Sequence, residues 1–252
     1  MTPNFEFLNV TVQDGVATII LNRVEKMNSL CMKLRDEIEQ CLDLLEADQN
    51  VRSAILTGGE DVFCAGFDIN EVIETELESF SHRILEYHEK IYGFPKPIVA
   101  AVSGFALAGG FDLALCGDII IASDTAVFGH PEIRFGVNPL LTPLWRKVGP
   151  SKAAELVMTG EMLNAEKAVL IGLAVKAVPP DRLLAEASEF ARKLAKIEPR
   201  ALAAVKRASM VVPKLDLRSS LEYEFGLTAE IMRNSELKSR IETYARKAGL
   251  IS

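Results

Sequence analysis

Two short glycine-containing turns, each reached through a run of apolar residues, restrict what this chain can fold into more than any other feature. The first is FCAGFD (63–68), which follows the apolar stretch 54–56 and the pair Gly58-Gly59. The second is SGFALAGGFD (103–112), which follows IVAAV (98–102). Gly109 and Gly110 carry no Cβ, so the chain can turn sharply there and a ligand atom can come close to the main chain. The apolar run 111–116 reads as a buried helix, whose first N–H groups lack intrahelical partners and favour a developing negative charge. Taken alone, such a glycine pair marks no more than a tight turn, so its meaning depends on the rest of the chain.

The surrounding pattern alternates strands and helices. Phe5, Phe7, Val10 and Val12, then 16–21 after Asp14-Gly15, predict a β-hairpin. Leu30, Leu34, Ile38, Cys41, Leu42 and Leu45 recur at helical spacing, with Ser29 as the expected cap. One long helix is expected over 71–92, closed by Pro95 and Pro97, then strands over 98–102 and 119–122, and a loop at PEIRFG (131–136). Helices over 152–159 and 165–171, a strand over 174–178 and a helical remainder follow. Glu198-Pro199 interrupts the helical pattern, which predicts one region over 1–198 and a second over 199–252. The recurring unit is strand, strand, helix.

Composition narrows the class. At 252 residues with 49% hydrophobic and 25% charged residues, the chain can bury one sizeable core. No apolar run approaches the roughly 20 residues of a spanning helix, and MTPNFEFLNV has no signal-like pattern, so a cytoplasmic protein is expected. Cys31, Cys41, Cys64 and Cys116 are widely spaced and read as reduced core residues, without a metal site. A formal charge of −7 argues against nucleic acid as a partner. Motifs exclude more. No GxGxxG follows a strand, Gly110 and Phe111 stand where a phosphate loop requires Lys and Ser/Thr, and Ser103 is outside any GxSxG elbow. His82 and His88 fall on a helix and are expected at its surface. His130 reads as a structural or pocket-edge residue.

Four blocks then stand in order: LNRVEKMNSL (21–30), FCAGFDI (63–69), VSGFALAGGFDLALCGDIIIAS (102–123) and FGHPEIRFGV (128–137). In this order and spacing the chain resembles the crotonase superfamily, the enoyl-CoA hydratase and isomerase group, over about residues 5–195. The resemblance implies an α/β fold, a spiral of repeated ββα units with a C-terminal helical region. It also implies an acyl-CoA substrate and no separate cofactor, because CoA is part of the substrate. The thioester oxyanion would be held by the N–H groups of Phe67 and Gly109, and proton traffic would fall to Asp112 and Glu132. Lys26, Ala65, Gly66, Asp68, Ile69, Gly110 and Leu140 would line the substrate site, with Asp68 also ordering its own turn. Leu144 and Trp145 read as pocket or core residues.

Both acids are Glu in hydratases of the family, whereas here the first is Asp112, shorter by one methylene and set back by about 1.5 Å. The Asp-then-Glu order is similar to that of dienoyl-CoA isomerases, but the further Asp that those enzymes carry is Leu140 here. Hydration of a 2-enoyl-CoA is the leading expectation. Double-bond isomerisation is the second, and a non-catalytic binding or scaffold protein of the same fold is the third. A homotrimer or dimer of trimers is expected from the resemblance.

Overall fold

In the computed structural model, which describes residues 4–234 and 237–250, the chain opens with a hairpin. Strands β1 (Leu8–Gln13) and β2 (Val16–Leu21) pair antiparallel around Asp14 and Gly15, both at positive φ, as a two-residue primed turn requires. A 3-10 turn, Val24–Lys26, leads to α1 (Met32–Ala47), which buries Leu34, Ile38, Cys41, Leu42 and Leu45 as its spacing predicts. Ser29 does not cap it. Cys31 occupies the cap position without a side-chain bond, and the Ser29 hydroxyl instead accepts from Arg23.

After β3 (Ser53–Thr57) come two helices where one was expected, α2 (Ile69–Glu74) and α3 (Leu77–Gly93). Asp68 starts α2 early by accepting the Asn70 N–H, and the extended ψ angles of Thr75 and Glu76 take the chain out of the helix. Next are β4 (Ile98–Val102), β5 (Phe105–Leu107), α4 (Gly109–Leu115), β6 (Ile119–Ser123) and β7 (Val127–Gly129). The expected loop at 131–136 is a 3-10 helix, Pro131–Phe135, closed by Gly136 at φ 87°. The sequence pattern assigns no element to 141–148, and the structure places helix α5 (Leu141–Val148) there; Pro143 sits in its first turn, where a missing N–H leaves no bond unmade. Then follow α6 (Pro150–Thr159), β8 (Leu163–Asn164), α7 (Ala165–Leu170), β9 (Lys176–Val178) and α8 (Pro180–Ala195).

Among the described residues the strands form a larger sheet, β1-β2-β3-β4-β6-β9, and a smaller one, β5-β7-β8. Every pairing from β2 to β9 in the larger sheet is parallel. Its central strands β3 and β4 are buried throughout, as a sheet covered on both faces demands. Ala54, Leu56, Ala100 and Val102 face the main core with α1 and Phe111. Ile55, Val99, Ala101 and Ile121 face Leu183, Ala187 and Ala191 of α8. The chain thus passes repeatedly through the large sheet, then a short strand at the small sheet, then a helix, which is the ββα spiral. It divides into two compact units, Met1–Lys196 and Ile197–Ser252, so the division falls just before Glu198-Pro199. The second unit holds α9 (Pro199–Val211), α10 (Leu217–Met232) and α11 (Leu237–Lys247).

Candidate active site

The spiral brings the two glycine turns side by side. Cys64 bridges Ala106 in parallel, and Ala106 pairs in turn with Phe128. The Cys64 N–H donates to the Phe105 carbonyl at 2.9 Å and the Leu107 N–H to the Cys64 carbonyl at 3.0 Å. Three residues beyond that shared row lie Phe67, Gly109 and Pro131, in adjacent turns of the spiral. A Cβ built on Gly66 would stand 3.5 Å from the Gly109 nitrogen, so the turns are in contact. Among the described residues, neither the Phe67 N–H nor the Gly109 N–H donates to a protein acceptor.

At Gly110 a backbone contact demands glycine, and at Gly109 the Phe67 ring stands where a Cβ would go. A Cβ on Gly110 would lie 2.2 Å from the Cys64 carbonyl oxygen, and one on Gly109 would lie 2.5 Å from the Phe67 ring. Ala108, at the N-cap, adopts φ 50° and ψ −127°, a conformation that costs a non-glycine residue about 1–3 kcal/mol. That strain turns the chain from β5 directly into α4. The helix spans only seven residues, so individual N–H groups, more than a macrodipole, are what this turn presents. The Phe67 ring packs edge-on to Phe80 and His88 and lies under the Arg35 guanidinium.

The two acids are both buried. Asp112, in the first turn of α4, is 3% exposed, and Glu132, in the 3-10 helix, is 8% exposed. Burial pushes the Asp112 carboxyl above the usual carboxylate range, against the opposing pull of His88 and His130. His130 stands between the acids: its Nδ1 is 3.0 Å from Glu132 Oε1 and its Nε2 is 3.8 Å from Asp112 Oδ1. His88 Nε2 lies 3.9 Å from Asp112 Oδ2. Asp112 Oδ1, Glu132 Oε2, His88 Nε2 and His130 Nε2 are all buried without a hydrogen-bond partner. Native proteins leave few such atoms, and four in one chain of side chains mark a place prepared for something else.

His88 therefore corrects the expectation of a surface residue, while His82 is exposed. The signal was present: Tyr87, His88 and Ile91 share the inward face of α3, a three-and-four spacing that Tyr87 and Ile91 announce. His130 is a buried bridge and not an edge residue. Tyr92 closes the corner by donating its hydroxyl to the Asp112 main-chain carbonyl at 2.7 Å.

Asn28, to which no motif assigns a role, holds the first turn from below. Its buried amide donates to the carbonyls of Gly58, Val62 and Phe63, and its oxygen accepts the Arg23 N–H. Ala65 donates to the Met27 carbonyl, which sets the exposed Lys26 beside the first turn. Asp68 pairs with Arg23 at 2.7 Å; although burial opposes ionisation, the Arg23 bond and charge and two backbone N–H groups bring its carboxyl below the usual range. Ile69 is exposed, and so is Leu140, within a run of exposed apolar residues after Glu132. Leu144 belongs to the core, whereas Trp145 is 40% exposed. Cys41, Cys64 and Cys116 are buried and Cys31 half-buried; burial pushes the Cys41 and Cys64 thiols up to about 12, so neither is a nucleophile at neutral pH.

The family model described as enoyl-CoA hydratase/isomerase matches residues 11–249. The chain belongs to that family. Within this enoyl-CoA hydratase/isomerase family, a Rhizobium meliloti protein named "Probable enoyl-CoA hydratase" is 37% identical over 97% of this chain and 96% of its own. A Clostridium acetobutylicum protein named short-chain-enoyl-CoA hydratase is 34% identical, covering 92% of each chain. The crystal structure of enoyl-CoA hydratase from Bacillus anthracis matches with a TM-score of 0.90 at 30% identity, over 96% of this chain and 97% of the other. The crotonase fold expected from the four blocks is thereby established, and the chain is an enzyme of this family. Among the described residues no helix is long and apolar enough to cross a membrane.

Proposed function

We propose that the enzyme adds water across the double bond of a 2-enoyl-CoA. One observation carries this reading: two unpartnered backbone N–H groups stand beside two buried carboxyl groups that each keep an oxygen free. The thioester carbonyl oxygen accepts from the Phe67 and Gly109 N–H groups as it becomes an enolate. Each donor aimed in a dry site contributes about 2.7–4 kcal/mol to the transition state. Asp112, disposed by burial to keep its proton, gives it to Cα. Glu132 takes a proton from the water whose oxygen bonds Cβ. One water is consumed, and the proton gained by Glu132 replaces the one Asp112 has lost.

Phe67 is a suitable donor because only its backbone is used. Ala65, Gly66 and Gly110 line the substrate site where the two turns pack together, Asp68 and Ile69 carry the first turn into α2, Lys26 meets the CoA phosphates and Leu140 meets the acyl chain. No cofactor beyond the CoA of the substrate takes part, and the enzyme assembles as a trimer or dimer of trimers, which light scattering tests. Double-bond isomerisation is the second reading, favoured by His130 lying between the acids, hydrogen-bonded to Glu132 and 3.8 Å from Asp112, since a proton taken by one acid can return by way of this ring to the other once that gap closes. Crotonyl-CoA loses its conjugated absorbance if hydration occurs. No loss across several chain lengths, with conjugation appearing in 3-enoyl-CoA, overturns hydration in favour of isomerisation.

A further inference from the structure

His88 is held in one tautomer by the backbone. Its Nδ1 lies 2.7 Å from the Ile84 carbonyl, one turn earlier in α3. A carbonyl oxygen only accepts, so Nδ1 carries the hydrogen, and Nε2 is left to face Asp112 Oδ2. The ring cannot turn away. It stacks on Tyr92 with ring planes 16° apart, and it meets Tyr87 and Phe67 edge-on. Nε2 is buried and has no partner at 3.9 Å, and moving Asp112 about 1 Å closer makes a hydrogen bond. A lone pair facing a bare carboxylate would repel it, so contact between these atoms calls for one proton between them.

We propose that His88 is a positioning residue for the reaction: with Nδ1 locked to Ile84, its Nε2 shares one proton with Asp112 and holds that carboxyl ready to protonate the substrate carbon. The proposal rests on Asp112 being the acid. The pair carries one proton before the step and none after it; that proton forms the new C–H bond, and the enolate electron pair supplies the bond. Other ionisable groups face the pair from every side. His130 comes from the cap of the 3-10 helix and Glu132 from within it, Tyr87 and Tyr92 from α3 itself, Cys116 from the end of α4, Cys64 from the first turn, and Arg35 from α1 across the Phe67 ring.

The test is His88→Phe, which keeps an aromatic ring in the aromatic cage, beside His88→Gln, whose carboxamide can still face Asp112. With 2-enoyl-CoA, His88→Phe is expected to lower kcat 10- to 100-fold and to leave KM within about twofold. Because His88 draws Asp112 toward ionisation, its loss lets Asp112 keep its proton to higher pH. The alkaline limb of kcat therefore moves upward, and His88→Gln recovers part of the rate. An unchanged profile in His88→Phe, whatever the rate, overturns the proposal. If Asp112→Asn is itself fully active, the reading of Asp112 as acid fails instead. Nitrogen NMR of the wild-type enzyme provides a second check independent of the His88 variants. The Nε2 resonance is expected to shift in Asp112→Asn while Nδ1 stays protonated, and an Nε2 resonance indifferent to Asp112→Asn overturns the shared proton.

Discussion

The corner around Asp112 and the stretch that follows Glu132 are built in opposite ways. At the corner, Tyr87, Phe111, Asp112 and His130 are each 3% exposed or less; the Tyr92 hydroxyl holds the Asp112 main chain, His130 holds Glu132, and Gly110 packs against the Cys64 carbonyl. Beyond Glu132, Phe135, Val137, Leu140, Leu141 and Trp145 are apolar yet between 39% and 72% exposed. The Val137 N–H donates to the Glu132 carbonyl at 3.2 Å, so this stretch folds back over the acid while leaving its side chains uncovered. The contrast separates two tasks. Proton transfer needs atoms fixed to a fraction of an ångström. Selection among acyl chains needs only apolar area, and an exposed rim can change without disturbing the chemistry.

Substitutions at the corner should cost most. Asp112→Asn and Glu132→Gln are each expected to lower kcat by about 10²–10⁴-fold, with acyl-CoA binding retained by calorimetry. Gly110→Ala forces the second turn away from the Cys64 carbonyl. A loss of about 10²–10³-fold in kcat is expected from the displaced donor, together with a lower Tm. Activity close to wild type in either experiment would remove the distinction between a rigid corner and a tolerant rim.

Stability is expected to move the other way at Asp112. Its folded carboxyl ionises at higher pH than in the unfolded chain, so the folded state binds more protons in the intervening window and wild-type stability falls as pH rises through it. Asp112→Asn removes that penalty. Denaturation should show the variant matching wild type below the ordinary aspartate range and exceeding it above, by up to about 1.4 kcal/mol for each unit of displacement. The smallest effects belong to the rim. Leu140→Ala or Trp145→Ala should alter KM by a few-fold for long acyl chains and leave kcat for the shortest within about twofold, as measured across a chain-length series.

The same division explains what could be read from the residues. The strands at 54–56, 98–102 and 119–122 were legible because a sheet covered on both faces needs unbroken apolar runs. The glycine turns were legible because backbone contact excludes side chains. The break between α2 and α3 was not, since Thr75 and Glu76 carry no breaker and only the Asp68 cap, a local bond to the Asn70 N–H, starts α2 at Ile69. His88 escaped because a histidine on a mixed helix face looks solvated until Tyr87 and Ile91 beside it are recognised as core. The bridge from Asp112 through His130 to Glu132 joins residues 20 apart in chain order, and only the spiral's register brings them together. The Pro131–Phe135 turn ahead of the exposed Leu140 was not legible either, since local composition presented it as a loop.

The central claim is that two buried carboxyl groups beside two backbone donors add water to an enoyl thioester. Turnover of crotonyl-CoA in water labelled with both ¹⁸O and deuterium tests it most directly. The expected product gains one labelled oxygen at Cβ and one deuterium at Cα, and neither appears in Asp112→Asn or Glu132→Gln. A product that takes up deuterium with no oxygen, its double bond moved, would contradict hydration and leave a proton shuttle as the work of this site.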